Sequence, residues 1–263
     1  FVFLLGVGVL VMLLLGTIIS MYTTWRLSLF ANKVGVEIAD SLYSYYLKKD
    51  WLFHASGSSA QLTKQIATEC LRVTTSILLP LVHMNGNFVL VLFMSISIFL
   101  FDPVVAIVGV IIFSIAYFVV FNLVNLTLLR NGRTISEMYE ARFRLMKEGF
   151  GGIIDVLLLG RFNDFINRFN KTGTKFAYNS GVNGALAHIP RYFMEFVAFG
   201  SMIALVLYLF ATYDGDISMI LPILSLYAIA GMKLLPAFQQ IYNSLANIQG
   251  NVAAFESIEE DLN

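Results

Sequence analysis

A single cysteine, Cys70, excludes an internal disulfide and a thiolate metal cluster in this chain of 263 residues. Charge is scarce as well. Only 13% of residues are charged and 58% are hydrophobic, against about 25% and roughly 45–50% in an ordinary soluble domain. The formal net charge is zero, so no bulk attraction to nucleic acid or to an acidic partner follows, and function turns on where the charges lie. No G-x-x-x-x-G-K-S/T loop occurs. The glycines Gly149, Gly151 and Gly152 lack the lysine and hydroxyl that hold phosphates and Mg²⁺, so this chain alone is not expected to bind or hydrolyse ATP. His54, His83 and His188 are isolated from one another and from any carboxylate or nucleophile pattern, and read as structural or interfacial. No catalytic or metal-ligating constellation is visible.

What is present is apolar sequence in long uncharged runs. Residues 1–25 carry no charge, and about 25 residues at ~1.5 Å rise span roughly 37 Å, enough to cross a hydrocarbon core of about 30 Å. Further spans are expected at 73–101, 104–129, 190–213 and 217–235. Asp102-Pro103 closes one outer turn and Asp214-Gly-Asp216 another. The expected class is therefore an all-α integral membrane protein. The run that opens at Phe1 has no Met and no basic segment before it, so it does not read as a signal peptide; the expectation is a piece of a longer polypeptide whose first span and further domain lie outside it.

Two mixed excursions, 26–72 and 130–189, separate these runs. In the first, Leu27, Phe30, Val34, Ile38, Leu42 and Tyr45 keep one helical face apolar until DWLFHASGSS, where a turn or short transverse helix is expected. Periodicity resumes at Leu62, Ile66, Cys70 and Val73. The second is helical by pattern through Ile135, Met138, Tyr139, Arg142 and Met146, with a break expected at Gly149 to Gly152 and a second helix through Val156, Phe162, Phe165 and Phe169. Lysine and arginine decide the sidedness. Six lie in the first excursion, ten lie at Arg130 and beyond up to Arg191, and none lies in either outer turn, so both excursions are cytoplasmic by the positive-inside rule. At ~1.5 Å per residue the helices of these excursions reach about 28–37 Å beyond the membrane. A channel or secondary carrier has little need of such stalks, whereas a pump driven by a soluble motor does.

The chain resembles the transmembrane domain of an ATP-binding cassette exporter with six spans and coupling helices. KKDWLFHASGSSAQLTKQIATECLRV is similar to the family's first intracellular loop, GIIDVLLLGRFNDFINRF to the segment after its second coupling helix, and MKLLPAFQQIYNSLANIQGNVAAFESIEEDL to the end of its sixth span. Within that superfamily it is most similar to bacterial lipid-linked oligosaccharide and polysaccharide flippases. IPRYFMEF supplies Arg191 and GMKLLPAF supplies Lys233 where that group carries basic residues, while the group's further arginine in the second span has no counterpart. The resemblance implies an ATP-driven permease that flips an amphipathic, lipid-linked saccharide by alternating access. It also implies a second identical subunit, membrane lipid around it, no nucleic acid, and ATP with Mg²⁺ in a nucleotide-binding domain beyond Asn263. A peptide or lipid A exporter is the alternative within this class; an ATP-independent carrier or membrane scaffold is the alternative outside it. The bacterial inner membrane is the expected location.

Two sets of candidate residues follow. For coupling to the nucleotide-binding domain they are Trp51, Leu52 and Phe53 in the first excursion and Ser136, Glu137, Tyr139 and Glu140 in the second, since exposed aromatics at a loop tip need a partner surface. For the substrate cavity they are Arg191, Lys233 and Glu195, which counting from the outer turns sets about 25–33 Å deep. Ionisable groups at that depth face a partner or a wet cavity. Either Arg191 and Lys233 hold an anionic headgroup, or Glu195 pairs with Lys233 and Arg191 snorkels. Asn85, Asn87, Asn122 and Asn125 could line a polar path or make interhelical hydrogen bonds.

Overall fold

The computed structural model describes residues 2–56, 59–212 and 217–262, all of them in helices or the short turns between them. The expected turn at Asp214-Gly-Asp216 lies outside the described residues. The elements are α1 (Val2–Leu47), α2 (Trp51–Ser56), α3 (Ser59–Lys64), a π-turn at Gln65–Glu69, α4 (Cys70–Val73), a second π-turn at Thr74–Leu78, α5 (Leu79–Phe101), α6 (Pro103–Gly151), α7 (Ile153–Leu158), α8 (Phe162–Thr212) and α9 (Ile217–Leu262). Five helices are long and apolar enough to cross a membrane. This is a multi-pass integral membrane architecture, and the exposed surface of its spans is the apolar surface that lipid requires.

The outer turn between α5 and α6 is built as its sequence dictates. Asp102 leaves the helix with an extended backbone, and its Oδ1 accepts hydrogen bonds from Val104 N at 3.1 Å and Val105 N at 3.2 Å. Pro103 fills the first helical position, where its missing N–H costs nothing. Tyr227 of α9 donates to Asp102 Oδ2 at 3.2 Å, which ties this turn to the neighbouring span.

Helices α5, α6, α8 and α9 pack as a bundle, with α6 lying along α8 and α9, and α5 along α9. In the span of α1 no residue of the apolar window is buried; this helix joins the rest only through its cytosolic half, against the α3–α5 arm and α9. Around α6 and α9 the core is aromatic: Phe113 stacks on Phe238, and Tyr117 lies between Phe238 and Tyr242. At the cytosolic end of the bundle α6 and α9 meet backbone to backbone. A methyl group on Gly132 would run into the carbonyl oxygen of Gly250, so only glycine allows this approach. Asn131 donates to Asn183 Oδ1 at 3.0 Å and Asn183 to Leu128 O at 3.3 Å, which fastens α8 to the same point.

The second excursion breaks at the last glycine of its expected interval, Gly149 to Gly152. Helix α6 runs straight through Gly149 and Gly151, because an internal glycine costs only about 1 kcal/mol relative to alanine and breaks nothing by itself. The chain yields first at Gly152 and then turns at Gly160, whose φ of 64° is the left-handed conformation that favours glycine. The tip of this hairpin is therefore the α7 region.

Candidate functional site

The two hairpins have helical stems of similar length. Leu47, at the end of α1, is 21 residues past Arg26 (47 − 26), and Gly151, at the end of α6, is 21 residues past Arg130 (151 − 130). At ~1.5 Å per residue each reaches about 32 Å below its basic boundary residue.

At the first tip, α2 is a transverse turn of helix. Trp51 is 83% exposed and Leu52 76%, whereas Phe53 folds back and stacks on Tyr46 with ring centroids 6.1 Å apart. The anchoring of this tip continues inward. Tyr46 donates to Asp261 Oδ2 at 2.7 Å, and Gln65 Nε2 donates to Ser257 O at 2.7 Å, so the hairpin is fastened to the end of α9. Burial, with Asp261 close by, holds the Tyr46 hydroxyl well above the ordinary tyrosine range.

At the second tip the exposed residues are Phe150, Ile154, Leu157, Leu158 and Leu159, with Leu158 79% exposed. Behind them a cavity of 410 Å³ is lined by Met146, Phe150, Ile153, Phe162, Phe165 and Phe169 among others. Sequence reasoning missed this tip by placing it before the glycines. The run Ile-Ile-Asp-Val-Leu-Leu-Leu, apolar yet beyond any span, was the signal that could have found it.

The four coupling candidates of the second excursion lie elsewhere, on the upper flank of α6. Ser136 is buried and accepts a hydrogen bond from Arg72 Nη1 at 2.7 Å. Glu140 Oε2 lies 3.7 Å from Lys64 Nζ. Tyr139 meets Phe176 of α8 edge-on at 4.8 Å and the Arg72 guanidinium at 5.6 Å. Glu137 is exposed. Three of the four thus face the interior of the cytosolic bundle, because the helix that carries them passes the first hairpin's ascending arm on its way down.

That contact is a buried ion cluster which sequence reasoning did not assemble. Glu69 is 0% exposed, and its two oxygens meet Arg72 Nη1 at 2.7 Å and Lys64 Nζ at 3.5 Å. Arg72 also holds Asn251 of α9, from Nε at 3.2 Å and Nη2 at 3.0 Å. Cys70 sits beside it in an apolar cluster with Leu42, Tyr46, Val73, Ala254 and Ile258. Burial, with the Glu69 carboxylate adjacent, pushes this thiol up to about 11 and leaves it unreactive.

In the spans, Arg191 Nε lies 2.8 Å from Glu195 Oε1, four residues along the same helix. The pairing of Glu195 with Lys233, one of the two alternatives, is not formed among the described residues. Side chains four apart on one helix meet without any adjustment between helices, whereas Lys233 stands on α9. Lys233 is exposed and has no ion pair among the described residues, so it is the cation whose charge is left uncompensated. None of these three residues lines the 420 Å³ cavity enclosed by α5, α6, α8 and α9, whose walls are almost wholly apolar. Of the asparagines, Asn87 bonds back to His83 O at 2.9 Å, Asn125 Oδ1 is buried without a partner, and Asn85 and Asn122 are exposed. A scan of the sequence against protein-family models matches none.

Proposed function

We propose that this chain is the permease part of an ATP-driven transporter of the cassette exporter type, embedded in a bacterial inner membrane, that flips an amphipathic lipid-linked saccharide by alternating access. The observation that carries the proposal is the pair of apolar tips held at equal reach beyond the membrane, Trp51 and Leu52 on one hairpin and the α7 region on the other. Apolar surface so far from lipid needs a protein partner. A soluble ATPase that closes on both tips would push two rigid helical levers at once and switch the bundle between two states. The second support is Lys233, an uncompensated cation near the inner leaflet, with Arg191 at similar depth; together in two subunits they would hold a diphosphate or other anionic headgroup by charge-assisted hydrogen bonds.

The test uses the full-length protein in proteoliposomes. ATP hydrolysis is measured with and without lipid-linked saccharides. Stimulation by the substrate, lost in Lys233→Ala with Arg191→Ala while basal hydrolysis persists, is the expected outcome. Absence of hydrolysis would overturn the ATP-driven reading in favour of a carrier or scaffold. Stimulation unchanged in the double variant would remove the two cations from the cargo site, and stimulation by peptides or lipid A instead would move the substrate class.

A further inference from the structure

Between the first tip and the membrane, the ascending arm carries two π-turns in close succession, Gln65–Glu69 and Thr74–Leu78, on either side of the four-residue α4. Each widens the helix locally, and such turns concentrate at places where a helix has a task beyond support. Here Arg72 lies between them, Glu69 ends the first and Lys64 precedes it. The second π-turn lies directly against α1, where Thr74 packs on Gly35 so closely that no side chain fits at position 35.

Besides Thr74, the residues that this register buries are Lys64, Gln65, Glu69, Cys70, Arg72 and Val73. Were the second π-turn to relax to α-helix, the arm would turn by about 100° and advance by about 1.5 Å, one residue's worth of helix. The same six positions would then receive Gln65, Ile66, Cys70, Leu71, Val73 and Thr74. Every charge would leave the interior, and two aliphatic residues would enter it. Leu71, 60% exposed at present, would take the place of Cys70, and Arg72 would take the exposed place of Leu71. Thr75 would replace Thr74 beside Gly35. The slack for this step exists at residues 48–50, which are not helical. A buried ion pair and a well-packed apolar core of similar volume are close in stability, so the two registers are energetically comparable.

We infer that the arm from Ser59 to Leu78 is a register switch, clamped in its π-bulged state by Arg72 and released into an all-α state when that clamp opens. Ser136 of α6 and Asn251 of α9 are the jaws of the clamp, and Glu69, which moves with the arm, neutralises Arg72 between them. Because α6 and α9 hold it jointly, any motion that separates them at Ser136 and Asn251 frees Arg72. The arm's movement then displaces the tip at Trp51. This inference does not depend on what drives the protein or on what it carries.

These 263 residues hold one cysteine, so a reporter is available: Leu71→Cys with Cys70→Ala and any cysteine outside them replaced by Ser, in the full-length protein in inside-out membrane vesicles, read by the rate of labelling with a membrane-impermeant maleimide. In the π-bulged register Cys at 71 is exposed and labels fast. Adding Glu69→Gln and Arg72→Met should favour the all-α register and slow labelling about tenfold, as a two-state population shift requires. A clamp that is only structural would do the opposite, since loosening it leaves labelling unchanged or faster, and either result overturns the switch. Deleting Ser76 from the slow variant removes the residue that the second π-turn accommodates, so the arm becomes α-helical without turning and fast labelling should return. Labelling that stays slow after the deletion also overturns it. Should the charge variant fail to reach the membrane, Ser136→Ala with Asn251→Ala weakens the clamp and keeps both charges. A smaller slowing is then expected, and unchanged or faster labelling again refutes the switch.

Discussion

The two cytosolic hairpins have the same reach and opposite interiors. The first buries charge: Lys64, Glu69 and Arg72 are almost wholly withdrawn from water and fastened to α6 and α9. The second exposes oil: Phe150, Ile154 and Leu157 to Leu159 face outward. The second is held mainly by α6 against α8, where Arg142 lies over the Phe169 ring at 4.0 Å. A polar interior is directional and can be unlatched, whereas an apolar tip is a surface that waits for a partner. The difference gives the first hairpin a polar latch shared by three elements and the second an exposed apolar surface.

The contrast can be broken most directly at Glu69. Glu69→Gln alone leaves Arg72 buried without a counter-charge, while Lys64 keeps Glu140, and should cost about 3–5 kcal/mol, whereas Glu69→Gln with Arg72→Met should recover most of it. Thermal unfolding of the purified protein in detergent checks both. Equal stability of the single and double variants would mean that the cluster is wetter and weaker than its burial implies. Gly132→Ala comes next, since the new methyl meets the Gly250 carbonyl and must push α6 and α9 apart at an expected cost of about 1–3 kcal/mol. The same variant tests whether the clamp depends on that approach, because Asn251 follows Gly250 directly. The smallest stability effect is expected at the second tip. Leu158→Ser with Leu159→Ser should stay within about 0.5 kcal/mol of the parent, as surface substitutions do, and yet abolish coupled turnover in proteoliposomes. Loss of stability there would show that the tip is already packed, and the contrast between the hairpins would fall.

Much of this architecture was legible in the chain. Uncharged runs match the long apolar helices, Asp102-Pro103 the turn between α5 and α6, and DWLFHASGSS the short helix α2. The tip of the second hairpin was not, because three glycines within four residues outweighed the apolar run after them. Glycine is permissive, and it marks a turn only where the backbone needs a left-handed residue, as at Gly160. Ser136, Tyr139 and Glu140 read from sequence as coupling residues on a helix, whereas α6 carries them past the arm that holds Arg72.

Composition and periodicity suffice for the number of long helices, their apolar faces and the side on which their basic residues lie, because lipid imposes those properties on each segment separately. Which charges meet is another matter. Arg72 finds Asn251 across 179 positions of sequence, and Glu195 finds Arg191 on its own helix and not Lys233. Such pairings depend on the crossing of helices and on one-residue steps of register. Only the packed bundle decides them, since a turn of about 100° on any helix replaces every partner it has.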